Sequence, residues 1–204
     1  MASGRIGTII LGAGASSRMG EPKQLLQWQR ESLVQRAVRQ AENLQMGPVI
    51  LVLGANAALI EAELQEGRYQ LAHNEAWETG MGSSIVSGMQ ALSASTQSLD
   101  AVLITLVDQP LVNTSDLEKI IEIFKKNNTP LVAASYGNTL GVPALFSADL
   151  FPELLTLSGQ KGAKAIISKY SQSLAKLDLP AAKLDLDTPE EWKAFLERKN
   201  LGNF

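Results

Sequence analysis

The residues able to do chemistry are concentrated in three short stretches. The first, Leu11-Gly-Ala-Gly-Ala-Ser-Ser-Arg-Met-Gly-Glu-Pro-Lys23, follows an apolar run beginning at Ile6 and places Arg18 and Lys23 just beyond Gly12 and Gly14. A strand that ends in glycines before a helix exposes backbone N–H groups at its C-terminal edge, where open α/β sheets take anions. The spacing matches neither standard phosphate loop: Ser17 stands where the third glycine of G-x-G-x-x-G belongs, and no G-x-x-x-x-G-K-[ST] occurs. Arg18 and Lys23 can bracket a triphosphate cradled by the backbone. A glycine-rich turn with two solvated cations accounts for the same residues, and the stretch alone leaves both readings open.

The second stretch, Ile104-Thr-Leu-Val-Asp108-Gln-Pro110, sets one carboxylate directly after an apolar run. On the same sheet edge as the glycine loop, Asp108 is suited to hold Mg²⁺ against phosphate oxygens; a turn-starting Asp before Pro is the plainer alternative. The third stretch runs from Asn74 to Gly88, where Gly80, Gly82, Ser83 and Ser84 open a helix and offer donors to an anion, or simply cap it. Near the C-terminus, Leu184-Asp-Leu-Asp187-Thr-Pro-Glu-Glu191 reads as a strand end followed by a helix start with Pro at its first position. Asp187 or Thr188 would cap that helix, and Glu190 and Glu191 would favour its dipole.

Composition narrows the chemistry further. The chain of 204 residues carries 18 Lys and Arg against 21 Asp and Glu, a formal net charge of −3. No global positive field draws in nucleic acid or an anionic membrane, so an anionic ligand must be held locally. Cysteine is absent and His73 is the one histidine. Disulfides, thiolate metal sites, Cys nucleophiles and multi-histidine metal sites are thereby excluded, and most Ser-His-Asp arrangements with them. No signal-peptide pattern or membrane-length apolar run is present, so the expectation is a cytoplasmic protein without membrane association.

The elements that must position these residues follow from periodicity. Continuous Val- and Ile-rich runs at Ile6 to Leu11, Val49 to Leu53, Ala101 to Val107 and Leu131 to Ala134 suit strands buried on both faces. Helical spacing appears at Leu33 to Leu44, Ile85 to Leu92 and Leu117 to Phe124, the last capped by Thr114 or Ser115. Strand and helix alternate, which predicts an α/β three-layer sandwich with a mostly parallel sheet, formed as one domain over residues 1–204. Beyond Ala134 the expectation is a loop over Tyr136 to Val142, a short strand at Pro143 to Phe146, helices at Ala148 to Leu155 and Gly162 to Tyr170, and a last helix carrying Trp192, Phe195 and Leu196. Ser93 to Leu99 reads as a surface loop, Trp28 as packing, and His73 as an ordinary partly buried residue at a strand end.

The string LGAGASSRMGEPKQLL resembles the signature loop of the MobA-like nucleotidyltransferases, L-A-[AG]-G-x-S-x-R-M-G-x-x-K, with Gly12 where that family more often has Ala. The likeness extends through N-x-x-W-x-x-G-M-x-x-S-I-x-x-G at Asn74 to Gly88, Asp108-Gln-Pro-Leu-Val, and the closing D-x-D-T-P-E segment. It implies a Rossmann-like nucleotidyltransferase sheet of the GT-A-like kind. By resemblance, Leu11, Gly12, Ala13 and Gly14 would contact the nucleotide, Arg18 and Lys23 the triphosphate, and Asp108 with Asp187 the Mg²⁺. Asn74, Gly82, Ser83 and Ser84 would face a substrate. Ala13 and the D-Q-P phrase resemble the cytidylyl branch, where the guanylyl branch has Gly and D-M-P. Gln160 and Lys164 depart from the family's G-D-x-G-A-R on the acceptor side.

The function so implied is transfer of CMP from CTP to the terminal phosphate of a molybdopterin-type cofactor, with release of pyrophosphate and a molybdoenzyme or its maturation factor as partner. Two alternatives remain: guanylyl or sugar-phosphate nucleotidyl transfer on the same fold, and a non-catalytic module that binds nucleotide or molybdenum cofactor and delivers it.

Overall fold

Apolar runs without alternation need cover on both sides, and each of them lies in one central sheet. The computed structural model describes residues 4–94, 98–127, 129–184 and 186–200. In chain order the elements are β1 (Ile6–Leu11), β2 (Gln27–Trp28), β3 (Glu31–Ser32), α1 (Leu33–Asn43), β4 (Val49–Leu53), α2 (Ala57–Ala62), β5 (Tyr69–His73), α3 (Met81–Ser93) and β6 (Ala101–Leu106). They continue with α4 (Thr114–Asn127), β7 (Leu131–Tyr136), β8 (Thr139–Ser147), α5 (Phe151–Leu155), α6 (Ala163–Lys169), β9 (Ala175–Asp178) and α7 (Pro189–Asn200).

Seven strands form the sheet in the order β5-β4-β1-β6-β8-β7-β9, while β2 and β3 make a separate small hairpin. Among the described residues only β8 runs against its neighbours in this sheet; β1 with β4 and β6, β4 with β5, and β7 with β9 pair in parallel. After β1 the chain moves to β4 and β5 on one side and returns to β6 on the other. The ends of β1 and β6 therefore flank the point where the strand order reverses, the position at which open α/β sheets bind ligands.

Alternate residues of each strand supply the two core faces. Ile9, Val52 and Ile104 pack with Ile85, Met89 and Leu92 of α3, and α5 and α6 cover the same face further along. On the other face Ile10, Leu51 and Leu53 meet Leu33, Val34 and Val38 of α1, together with Phe195 of α7, while Leu103, Val132 and Leu145 meet Leu117, Ile120 and Ile121 of α4. The result is the three-layer α/β sandwich with a mostly parallel sheet that the sequence predicts. Among the described residues no helix is long and apolar enough to cross a membrane.

Several local expectations are corrected. Tyr136 to Val142 is largely strand: β7 runs to Tyr136, β8 starts at Thr139, and Gly137-Asn138 makes the turn, with Gly137 at φ 58°. Gly-Asn flanked by strand residues suits a two-residue hairpin, a signal that the polar composition of the stretch masked. A register shift beside Ala133 and Ala134 accommodates Pro143, whose ring nitrogen has no proton for a ladder. The cap of α4 is Asn113, whose Oδ1 accepts from the N–H of Asp116 at 3.2 Å, in place of Thr114 or Ser115. Leu184, Leu186 and Asp187 are not in a strand; the chain leaves a 3₁₀ turn at Pro180–Lys183, and Leu186 plugs the core. Asp185, and residues 95–97 of the expected surface loop, lie outside the described residues. His73 is exposed at the end of β5, its Nε2 3.0 Å from Glu61.

α7 reaches back across the fold to the β2–β3 hairpin. Phe195, 2% exposed, meets Trp28 edge-on at 5.0 Å between ring centres, Trp192 stacks on Phe195 at 5.4 Å, and the Arg36 guanidinium lies 4.2 Å over Trp28. These contacts fix the helix that begins just after Asp187 to the hairpin that begins just after Lys23. Phe195→Ala is expected to cost about 3–4 kcal/mol, lowering Tm by about 2–4 °C per kcal/mol in a chain of this size. Thermal unfolding followed by circular dichroism measures it, and an unchanged Tm would show that α7 is not held by this cluster.

Candidate active site

The glycine loop leaves β1 as a bent segment pinned from beneath by Gln24. This side chain is 2% exposed, and its Nε2 donates to the carbonyls of Gly12 at 2.8 Å and Gly14 at 2.9 Å. Its Oε1 accepts from Ser16 Oγ at 3.3 Å, and that hydroxyl accepts the Lys23 N–H at 3.1 Å. Ser16 itself sits at φ 55°, a strained conformation for a residue with a side chain. The Ala13 carbonyl is taken by the N–H of Ala55 at 3.1 Å. The Gly12 N–H is itself taken by the Val52 carbonyl at 2.9 Å, so the N–H groups that the loop can turn toward an anion are those beyond Gly12. Nothing lies within 4 Å of where a Cβ on Gly14 would be, so that space belongs to the cleft.

The cleft has a volume of about 480 Å³ and lies across the C-terminal ends of β1 and β6. Its lining includes Leu11 to Ala15 and Arg18 from the glycine loop, Lys23 and Gln24 from the short turn after it, Leu106 at the end of β6 with Val107 and Asp108 in the turn that follows, and Asp187 from the segment before α7. Trp77, Glu78, Gly80, Met81, Ser84 and Gln160 complete the wall.

Four charged side chains meet in the cleft. Lys23 Nζ donates to Asp108 Oδ2 and, at 3.1 Å, to Asp187 Oδ1, while Arg18 pairs with the other oxygen of Asp187. The Lys23 and Asp108 side chains are only 16% and 14% exposed, whereas that of Arg18 is 69% exposed and stands at the rim. Two cations and two carboxylates sum to zero charge. Among the described residues no group of three or more His, Cys, Asp or Glu could hold a metal ion; Asp108 and Asp187 converge on one ammonium, while Glu78 lines the wall beside Trp77.

Leu11, Gly12, Ala13, Gly14, Arg18, Lys23, Asp108, Asp187 and Ser84 are thus brought to one cleft, while Asn74, Gly82 and Ser83 do not line it. Asn74 is 5% exposed, and its Nδ2 donates to Ser83 Oγ at 2.8 Å and Ser84 Oγ at 2.9 Å, stapling the start of α3. Ser83 Oγ donates to the carbonyls of Ala76 and Gly80. Gly82 is a contact point: a Cβ there would come within 2.8 Å of the Ser158 backbone, and its N–H donates to the Gly159 carbonyl at 3.0 Å. Gly80, Met81 and Ser84, from the segment expected to face a substrate, line the same cleft as the glycine loop. Gln109 is outside the lining, its Nε2 donating to the carbonyls of Val142 and Ala182 at 3.0 Å each.

Gln24, Glu78 and Met81 line the cleft without a signal in the sequence that marks them, and Trp77 lines it with them. A buried amide that braces a loop carries no spacing signal, and the Gln beside Lys23 was the only hint. Trp77 is placed by Gly54, where a Cβ would approach the Trp77 Cβ to 2.6 Å.

The chain is similar to known proteins along most of its length. Residues 8–174 match the model of a MobA-like NTP transferase domain. The chain is 29% identical to nicotine blue oxidoreductase of Paenarthrobacter nicotinovorans, over 90% of this chain and 92% of that one. It is 24% identical to the molybdenum cofactor cytidylyltransferase of Escherichia coli K12, over 95% and 96%. A crystal structure of Rv0371c from Mycobacterium tuberculosis H37Rv superposes with a TM-score of 0.81 at 26% identity, covering 96% of this chain and all of that one. The same mycobacterial protein in complex with manganese gives a TM-score of 0.77 at 25% identity, covering 95% and 98%. With the family's domain matched over most of its length, the chain belongs to the MobA-like NTP transferase family of nucleotidyltransferases.

Proposed function

We propose that this nucleotidyltransferase moves CMP from CTP to the terminal phosphate of a molybdopterin-type acceptor. The observation that carries the reading is the meeting of Arg18, Lys23, Asp108 and Asp187 beside a braced glycine loop, at the point where the strand order reverses. The likeness of Ala13 and Asp108-Gln-Pro to the cytidylyl branch, and the relative in Escherichia coli, support CTP and this acceptor. Relatives of comparable identity carry different activities, so assay decides the acceptor.

The donor set fits a divalent cation. Asp108 and Asp187 present oxygen ligands of the kind preferred by Mg²⁺ and Mn²⁺, which commonly bind through one or two carboxylates together with substrate phosphates. The manganese complex of Rv0371c supports metal use in this fold. A cation held there supplies charge neutralisation at the phosphate oxygens. It also resolves the zero net charge of the four side chains: with the carboxylates directed to a cation, Arg18 and Lys23 become available to the triphosphate.

In the proposed reaction an oxygen of the acceptor's phosphate attacks the α-phosphorus of CTP in line. The bond to the β-phosphate breaks, a new diphosphate linkage forms, and pyrophosphate departs. The N–H groups of the glycine loop hold the phosphates, Lys23 at the cleft floor and Arg18 at the rim stabilise the leaving pyrophosphate, and Ala13 abuts the nucleoside. A phosphate monoester is already ionised at neutral pH, so no general base is needed. The absence of a histidine from the cleft lining accords with this chemistry.

Pyrophosphate release with Mg²⁺ and a molybdopterin-type acceptor, run in parallel with CTP, GTP, ATP and UTP, is expected with CTP alone. Release with GTP alone would overturn the base assignment, and silence with all four would overturn the reaction. Lys23→Ala and Asp108→Ala are each expected to lower turnover by more than about tenfold with unchanged circular dichroism; wild-type rates in both would remove these residues from the mechanism. Gln24→Leu strands two loop carbonyls and is expected to raise the nucleotide KM about tenfold, given ~1–3 kcal/mol for a lost buried partner. An unchanged KM would mean that the loop keeps its shape without the amide.

A further inference from the structure

We infer that Glu191 is a positioning residue for Asp187. The inference rests on the reading of Asp187 as a carboxylate of the metal and triphosphate site, and it concerns how that carboxylate is aimed. Thr188 is the N-cap of α7, with its Oγ1 accepting the Glu191 N–H at 3.3 Å, and Glu191 Oε2 accepts the Thr188 N–H at 3.0 Å. Those two bonds make the reciprocal capping box expected from Thr three residues before Glu. The structure adds a third bond that a capping box does not require. The same Oε2 accepts the N–H of Asp187 at 2.8 Å, one residue outside the helix and its cap.

Pro189, the first helical residue, has no N–H to donate. The Glu191 carboxylate thus holds both N–H groups nearest the site, at Asp187 and Thr188. On the other side of Asp187, Leu186 is fully buried. The backbone of Asp187 is pinned between a core plug and a carboxylate. Its side chain is left to point at Lys23 and Arg18, with one oxygen on each. Positioning and helix capping are separable here because Thr188 Oγ1 takes part only in the cap. Thr188→Ala removes a capping bond and leaves the Glu191 bond to the Asp187 N–H intact, whereas Glu191→Ala removes both N–H contacts. Glu191→Gln keeps an acceptor oxygen at the same reach.

The test compares wild type, Glu191→Ala, Glu191→Gln, Thr188→Ala and Asp187→Asn in two readouts besides turnover. One is Tm; the other is the ratio of nucleotide Kd values in EDTA and in Mg²⁺, measured by titration calorimetry without acceptor, with CTP and GTP as probes. Metal-dependent tightening is expected in the wild type and is expected to disappear in Asp187→Asn. Glu191→Ala should reduce the tightening by about tenfold, the scale of losing a partner that orients a metal-binding carboxylate. Glu191→Gln should restore most of it, and Thr188→Ala should lower Tm without altering the ratio.

Equal losses of tightening in Thr188→Ala and Glu191→Ala would make Glu191 a helix cap only and overturn the inference. An unchanged ratio in Glu191→Ala, with Asp187→Asn defective, would overturn the positioning role and leave the site reading standing. An unchanged ratio in Asp187→Asn, or no tightening in the wild type, would remove Asp187 from the site and the inference with it.

Discussion

The arrangement depends on one ammonium group held between two carboxylates. Asp108 comes from the end of β6 and Asp187 from the segment before α7, 79 positions apart in the sequence, and Lys23 bridges them from the far side of the glycine loop. Like charges at this proximity repel unless a cation stands between them. Lys23 supplies that cation within the protein; under the proposed function a divalent cation would stand between the same carboxylates.

Everything else serves to hold those groups at the required separation. The parallel strands β1 and β6 bring the glycine loop and Asp108 side by side in fixed register, Leu11 opposite Leu106. The Trp28, Phe195 and Trp192 cluster brings the last helix onto the hairpin after Lys23, so that Asp187 arrives from a part of the chain outside the central sheet. Gln24 braces the loop from below and Glu191 braces Asp187 from behind. Both are polar side chains whose hydrogen bonds shape backbone, and neither needs to touch a ligand to matter. Helical and hairpin packing set distance; these two side chains set direction.

Glycines divide along the same line. Gly14 leaves open space in the cleft, as a position approached by a ligand should, while Gly54, Gly80 and Gly82 are required by close approach of protein to protein. Residues of one type therefore answer to different constraints. That division explains why Asn74, Gly82 and Ser83, plausible donors by type, are absorbed into the start of α3 and the loop that lies on it.

The sequence by itself determined the layers and the main strands, since Val- and Ile-rich runs such as Val49 to Leu53 can be satisfied only by burial on both faces. It also marked the residues that meet in the cleft from the glycine loop and the end of β6, because their types and local spacing carry the signal. Tertiary structure alone decided that Gln24 is buried beneath the loop and that Gln109 anchors β8 from outside the cleft, and it set the contacts by which Asp187, paired with Asp108 only by the resemblance, reaches Lys23. Each of those outcomes depends on contacts between segments distant in sequence, or on a polar side chain satisfying a backbone group it meets only after folding. Local periodicity and composition contain no record of such meetings.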